Sequence, residues 1–337
     1  MIVEGTILRG ERFDPIEGRL ILEDGHIEAI EETPVESESI ALPAFVNAHT
    51  HLGDSIAKDA GAGLSLEELV APPDGLKHRL LRTASRERLI AGMERSLRLL
   101  KTTGSGTVAD FREGGIEGVT ALQEAASAQP VDAISLGRDD PGILEVADGV
   151  GASGAADGEF GSLRRAAKEA GKPFGIHAGE AGPGDLHPAL DLAPDFLVHA
   201  VAAETVHLER IEDSQTPVVV CPRANATLGV GHPPIEELVD RTTVGLGTDN
   251  VMLTSPSIFR EMEYIEKIAT VEPETVLRMA TANGASILGL NRGILEEGKE
   301  AKVLVLDGSS DNLIDSQDLV RSIVRRASPM DVEQILL

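Results

Sequence analysis

Between Pro43 and about Gly289 the sequence alternates short apolar runs with helical stretches, a rhythm that restricts the possible folds severely. The strand-like runs are 44–49, 105–111, 130–136, 147–151, 173–177, 195–199, 217–221 and 243–248. Between most of them lie helical segments, among them Arg86–Lys101, Ile116–Ala126, Leu163–Ala170 and Ala203–Glu212. Strands that alternate with helices predict an α/β protein with a parallel sheet, and eight such units favour closure into a (β/α)8 TIM barrel over an open doubly wound sheet.

The flanks read differently. Ile2–Leu8 and Arg19–Glu23 have strand character, and Asp24-Gly25 is a hairpin turn leading into Ile27–Ile30. After the barrel, Ser257–Ala269 and Glu274–Leu288 read as helices, and Ala301–Leu306 and Leu319–Arg326 as strands. The simplest architecture joins 1–42 and 291–337 into a small β-domain flanking a barrel domain of residues 43–290. Gly149-Val150-Gly151-Ala152-Ser153-Gly154 matches a dinucleotide fingerprint, but no helix follows it directly, so the Gly-rich stretch Gly149–Gly161 reads as a loop after the fourth strand.

Strand side chains alternate faces, so His49 and His51 in Asn47-Ala48-His49-Thr50-His51 point the same way. His177 ends the fifth strand, His199 the sixth and Asp249 the eighth. In a barrel all five fall at the carboxyl ends of strands, the face on which active sites are built. One histidine at a strand end is more often a hydrogen-bonded core residue than a ligand. Five groups converging on one mouth point instead to a divalent metal ion, since neutral imidazoles with one carboxylate suit Zn2+ and leave a position for water.

The remaining composition narrows the partners. Cys221 is the sole cysteine, which excludes an internal disulfide and a multi-thiolate zinc site. The chain carries 56 acidic against 30 basic residues, a net charge of −26. Nucleic acid and anionic membrane surfaces are therefore poor partners, because both need clustered cations. MIVEGTILRG lacks a signal-peptide pattern and no run of about 18 apolar residues occurs, so a cytoplasmic location is expected. Few lysines and an acid excess along the whole chain suit a halophilic cell, where salt screens dense negative surfaces. An acidic surface that steers cationic substrates is the rival explanation.

Several motifs resemble the amidohydrolase superfamily. Leu42-Pro43-Ala44-Phe45-Val46-Asn47-Ala48-His49-Thr50-His51-Leu52 is similar to its first-strand motif. His177-Ala178-Gly179-Glu180 resembles the fifth-strand motif of adenosine deaminase and its cytosine- and triazine-processing relatives, and Cys221-Pro222-Arg223-Ala224-Asn225 their seventh-strand segment. Thr281-Ala282-Asn283-Gly284-Ala285 and Gly293–Ala301 resemble the C-terminal pattern. Ala44 replaces a usual glycine and Lys302 a common aspartate, neither in a chemical role. Residues 131–151 hold no lysine to be carboxylated, which favours one metal ion over two.

The resemblance implies that His49, His51, His177 and Asp249 hold one divalent ion, Zn2+ with Fe2+ as the alternative. Metal-bound hydroxide would attack a ring carbon, Asp249 would take its proton, His199 would orient it, and Glu180 would protonate the ring nitrogen. Without the resemblance, Glu180 reads equally as a carboxylate placed at a helix N-terminus. Asp54, Arg112 and His232 are candidate substrate contacts, with loop solvation as the plain alternative. So are Ser55, Lys58 and Glu113. The expected activity is hydrolytic deamination of a purine, pyrimidine, pterin or triazine-type ring. Hydrolysis of a cyclic amide or a chloro-substituted ring is the alternative, and a non-catalytic binding protein on the same scaffold is the second. A small heterocycle is the expected partner, and homo-oligomerisation is left open.

Overall fold

The chain opens with β1 (Ile2–Arg9), β2 (Asp14–Glu23), β3 (His26–Glu32) and β4 (Ser39–Pro43). Next come β5 (Phe45–His51), β6 (Ser105–Arg112), β7 (Asp132–Gly137), β8 (Gly149–Ala152), β9 (Phe174–Ala178), β10 (Phe196–His199), β11 (Val218–Val220), β12 (Val244–Leu246) and β13 (Asp249–Asn250). Strands β14 (Val303–Asp307) and β15 (Val332–Leu336) end it. This computed structural model describes residues 1–138 and 141–337.

Strands β5 to β13 form one parallel sheet in the order β12-β11-β10-β9-β8-β7-β6-β5-β13. Its two edges belong to a single stretch of chain: β12 pairs with β11, and β13 begins after Gly247 and Thr248 and pairs with β5, Asp249 opposite Thr50. The sheet thus curls into a TIM-like barrel. A Cβ at Gly247 would lie 2.7 Å from the His49 Cβ and 2.9 Å from the Cys221 Sγ, so glycine is what lets the closing segment pass. Every residue of β5 and β6 is buried, including the polar Asn47, His49, Thr50 and His51 of β5 and Ser105, Thr107, Asp110 and Arg112 of β6. Inside the ring Phe111, Leu136, Phe196, Val198 and Val219 pack under the mouth.

The helices form where caps and periodicity agree. Ser85 accepts the Arg88 N–H (3.3 Å) at the start of Arg86–Thr102, whose Met93, Leu97 and Leu100 pack against Ala121 and Leu122 of Gly115–Ala126.

Three readings of the sequence need correction. Leu319–Arg326 is a helix, not a strand: Asp318 caps it, accepting the Arg321 N–H at 3.0 Å. Val320, Ile323 and Val324 recur at helical spacing and pack with Ile258–Ile268 and Pro273–Ala280. The strand beside β14 is β15 instead. Glu274–Leu288 is two helices, Pro273–Ala280 and Ala282–Ile287, broken at Thr281, whose hydroxyl donates to the Leu277 carbonyl at 2.7 Å. Gly149–Ala152 is strand β8, so the Gly-rich loop begins only at Ser153.

The second sheet joins both ends of the chain in the order β15-β14-β4-β1-β2-β3. Ile7, Leu20, Ile27, Ala41, Val303 and Val305 share a buried cluster there. Among the described residues no helix is long and apolar enough to cross a membrane.

Candidate active site

The carboxyl ends of β5 and β9 and the first residue of β13 bring His49, His51, His177 and Asp249 together, with ligand atoms all within 4.8 Å of one another. Asp249 does not end the eighth strand, which stops at Leu246, but opens the short strand that pairs with β5. The His49 Nε2 lies 3.3 Å from the Asp249 Oδ1 and 3.3 Å from the His177 Nε2, and the His51 Nε2 lies 3.5 Å from the same Asp249 oxygen. Backbone carbonyls fix the ring tautomers. His177 donates its Nδ1–H to the Ala152 carbonyl (2.8 Å), and His51 donates its Nδ1–H to the Phe111 carbonyl (3.0 Å). Both Nε2 atoms are then bare acceptors, aimed with an anionic oxygen at one point. Three acceptors facing each other repel unless a cation lies among them. Separations of 3.3–3.5 Å also match the edge of a tetrahedron with bonds of about 2.1 Å, about 3.4 Å. The residues present therefore fit a divalent ion.

Burial supports the donor set. Desolvation pulls His49 down to about 4 and His51 to about 3, and holds His177 well below its ordinary value, so all three rings are neutral and free to ligate. Burial alone would raise Asp249, but its hydrogen bond with His49 and the surrounding imidazoles hold it below the usual carboxylate range. Phe111 floors the site, its ring 4.4 Å from that of His49 and 5.0 Å from that of His177, both edge-on.

A second group adjoins the first. Glu180, His199 and Asp249 also place oxygen and nitrogen atoms within 4.8 Å of one another, so Asp249 belongs to both. The Asn225 Nδ2 amide donates to the His199 Nδ1 (3.1 Å) and to the Glu180 Oε1 (3.4 Å). His199 accepts at Nδ1 and so carries its proton at Nε2, 3.6 Å from the Glu180 Oε2. Burial raises the Glu180 carboxyl, which favours a form able to donate a proton. His199 (φ 81°) and Asp249 (φ 56°) both have left-handed backbones. Such conformations cost roughly 1–3 kcal/mol each and concentrate at functional sites.

The candidate substrate contacts separate. Asp54 is buried, accepting the Asn250 Nδ2 amide (2.7 Å) and the Met252 N–H (3.0 Å), and burial pushes its carboxyl up to about 7. Both its oxygens thus hold the segment that follows Asp249. Arg112 is buried against Asp110 (3.3 Å) and Glu113 (2.5 Å), crossing Gly53, where a Cβ would sit 2.3 Å from its guanidinium. His232 is exposed, with its ring nitrogen 2.9 Å from the Tyr264 hydroxyl, outside both groups. A cavity of about 730 Å³ opens alongside, walled by Arg112, Glu113, Met93, Pro72 and Arg138. Sequence reasoning missed the Phe111 floor, the bridging amide of Asn225 and the buried Lys77, whose Nζ lies 2.7 Å from Glu113. Asn225 sat inside a recognisable motif, whereas nothing near Lys77 marked it as inward-facing.

A barrel mouth with these donors and an adjoining carboxylate–imidazole pair has the make-up of a metal-dependent hydrolase site. Comparison with known proteins narrows the class. Residues 40–336 match the amidohydrolase family, and the chain belongs to it. It is 36% identical to an uncharacterized protein of Methanocaldococcus jannaschii, over 98% of this chain and 96% of that one. It is 35% identical to a putative aminohydrolase of Methanothermobacter thermautotrophicus, over 100% and 97%. A 5-methylthioadenosine/S-adenosylhomocysteine deaminase of Haloarcula marismortui is 27% identical, over 88% and 79%. Among solved structures, the fold resembles a zinc-bound adenosine deaminase from Xanthomonas campestris (TM-score 0.78, 16% identity, 100% and 91% covered). It also resembles the zinc-complexed atrazine chlorohydrolase of Arthrobacter aurescens (TM-score 0.80, 18% identity, 100% and 93% covered). The protein is a hydrolase acting on carbon–nitrogen bonds.

Proposed function

We propose that this chain hydrolytically deaminates an amino-substituted nitrogen heterocycle of purine, pyrimidine, pterin or triazine type, releasing ammonia. The observation that carries the reading is the proton-transfer pair beside the ligand set: Glu180, raised by burial, 3.6 Å from His199 and within 4.8 Å of Asp249. The deaminase relatives add support.

His49, His51, His177 and Asp249 would hold one divalent ion, Zn2+ with Fe2+ as the alternative. Bound there, such an ion supplies a nucleophile at neutral pH by lowering the pKa of water. Asp249 accepts the proton that the attacking water loses. His199, protonated at Nε2, donates a hydrogen bond that orients the attacking oxygen. Glu180 protonates the ring nitrogen next to the attacked carbon, so the negative charge of addition is neutralised as it forms. The proton on Asp249 then goes to the exocyclic amine, which leaves as ammonia while the added hydroxyl becomes the carbonyl and gives its proton back to Glu180.

Incubation with amino-purines, pyrimidines, pterins and triazines should release ammonia only when a divalent ion is supplied; silence across that panel overturns the reading. Product analysis separates deamination from opening of a cyclic amide or loss of chloride, neither of which frees ammonia.

We also assign 1–42 and 291–337 to a small β-domain and 43–290 to the barrel; one face of the second sheet has an apolar cluster of its own, while Leu8, Ile40, Leu42, Leu304 and Leu306 share a cluster with the barrel. The helix Leu319–Arg326 belongs with the barrel helices by its packing. The net charge of −26 fits a cytoplasm rich in salt, where self-repulsion is screened. Lowering KCl from about 2 M to about 0.1 M, which lengthens the Debye length severalfold, should lower the melting temperature. A melting temperature independent of salt refutes that assignment.

A further inference from the structure

The ligand histidines differ on the side away from the cluster. The His177 Nδ1–H meets only a backbone carbonyl, and the His49 Nδ1 has no partner among the described residues. Among the described residues His51 alone meets a carboxylate: besides the Phe111 carbonyl, its Nδ1 lies 3.0 Å from the Glu113 Oε1. Glu113 faces the far edge of that ring from Nε2, so it addresses the histidine and not the point the donors share.

Glu113 is itself tightly held. Its side chain is 9% exposed and bonds the Lys77 Nζ at 2.7 Å and the Arg112 Nη2 at 2.5 Å. Lysine is almost never so buried unless paired, and the Lys77 side chain is 4% exposed. Lys77 comes from the helix Leu76–Thr83, part of the excursion between β5 and the helix Arg86–Thr102. That excursion also packs Ala57, Leu69, Leu76 and Leu80 onto Met252, three residues after Asp249. One buried chain of contacts therefore runs from the excursion through Lys77 and Glu113 to the ring of His51.

We propose that Lys77 and Glu113 are positioning residues for the ion held through His51, and that they tie ion retention to the seating of residues 52–84. This rests on reading His51 as a metal ligand. The Phe111 carbonyl fixes the tautomer of His51 by accepting its Nδ1–H, and the Glu113 carboxylate, 3.0 Å from the same Nδ1, adds a negative charge on that side of the ring, which makes Nε2 a stronger donor; such outer contacts are worth about 10–100-fold in metal affinity. Lys77 neutralises the buried carboxylate and fixes its orientation, so lifting the helix that bears Lys77 loosens the ligand.

The test compares Glu113→Gln, Lys77→Met and Lys77→Arg by Zn2+ dissociation constant, from competition with a chromogenic chelator, and by the melting temperature of the metal-free protein. Glu113→Gln should bind Zn2+ about 10–100-fold more weakly. Lys77→Met should shift in the same direction, Lys77→Arg should recover towards wild type, and the metal-free melting temperatures should stay close together. Dissociation constants within about twofold of wild type for the first two variants overturn the proposal. So does a loss of affinity that merely follows a collapse of the metal-free melting temperature. Should the variants not fold, ring-proton NMR of the zinc-loaded wild type decides: the His51 Nδ1–H must resonate well downfield of that of His177, and equal shifts refute it. A wild-type chain that retains no Zn2+ overturns this proposal and the proposed function together. A wild type that holds Zn2+ no better than its variants overturns this proposal alone.

Discussion

Glu180→Gln is expected to lower kcat by about 10²–10⁴-fold, the range for removing a positioned proton donor, while leaving metal content and KM nearly unchanged. Glutamine keeps the shape that receives the Asn225 amide at 3.4 Å but has no acidic proton to give. The change therefore isolates proton delivery from packing. Glu180 lies with Asp249 and His199 but outside the four-residue ligand set, so metal stoichiometry should not move. Titration with Zn2+ alongside steady-state kinetics separates the two effects. A variant with full turnover removes Glu180 from the chemistry and with it the main support for deamination; a variant that turns over slowly because its metal is gone makes Glu180 a ligand.

The second large effect falls on Asp249, the residue common to both groups of side chains. Asp249→Asn should both weaken metal binding and lower turnover by about 10²-fold or more. Asparagine tolerates the left-handed backbone at φ 56° better than most residues, so the fold should survive the change. Saturating Zn2+ separates the two tasks. Occupancy should return at high metal while turnover does not, because the amide cannot accept the proton that the aspartate takes. Full recovery of kcat at saturating metal would mean that Asp249 only ligates.

The barrel strands and the convergence of their ends were legible because both depend on local rules. A strand buried on both faces shows itself as an apolar run, and period-two alternation alone puts His49 and His51 on one face. Leu319–Arg326 shows the limit of those rules: eight residues rich in valine and isoleucine satisfy strand propensity, and only docking against two neighbouring helices settles the helical period. Strand β15, Val-Glu-Gln-Ile-Leu, has little to distinguish it until β14 supplies a partner. The same holds for Lys77 and Asn225. Each turns inward because of what meets it from a distant segment, Glu113 in one case and the Glu180–His199 pair in the other. His232 looked promising from its loop, yet its ring partner is Tyr264.

The way the ring closes fixes when the site can exist. His49 and Asp249 lie 200 residues apart, and β13 completes the sheet by pairing with the first barrel strand. Chain emerges from a ribosome at about 5–20 residues per second, so the first two imidazoles wait about 10–40 s for the carboxylate that completes their site. Through that interval a nascent chain has no complete ligand set with which to capture an ion. An ion held by all four residues would therefore bind only after β13 has closed the ring.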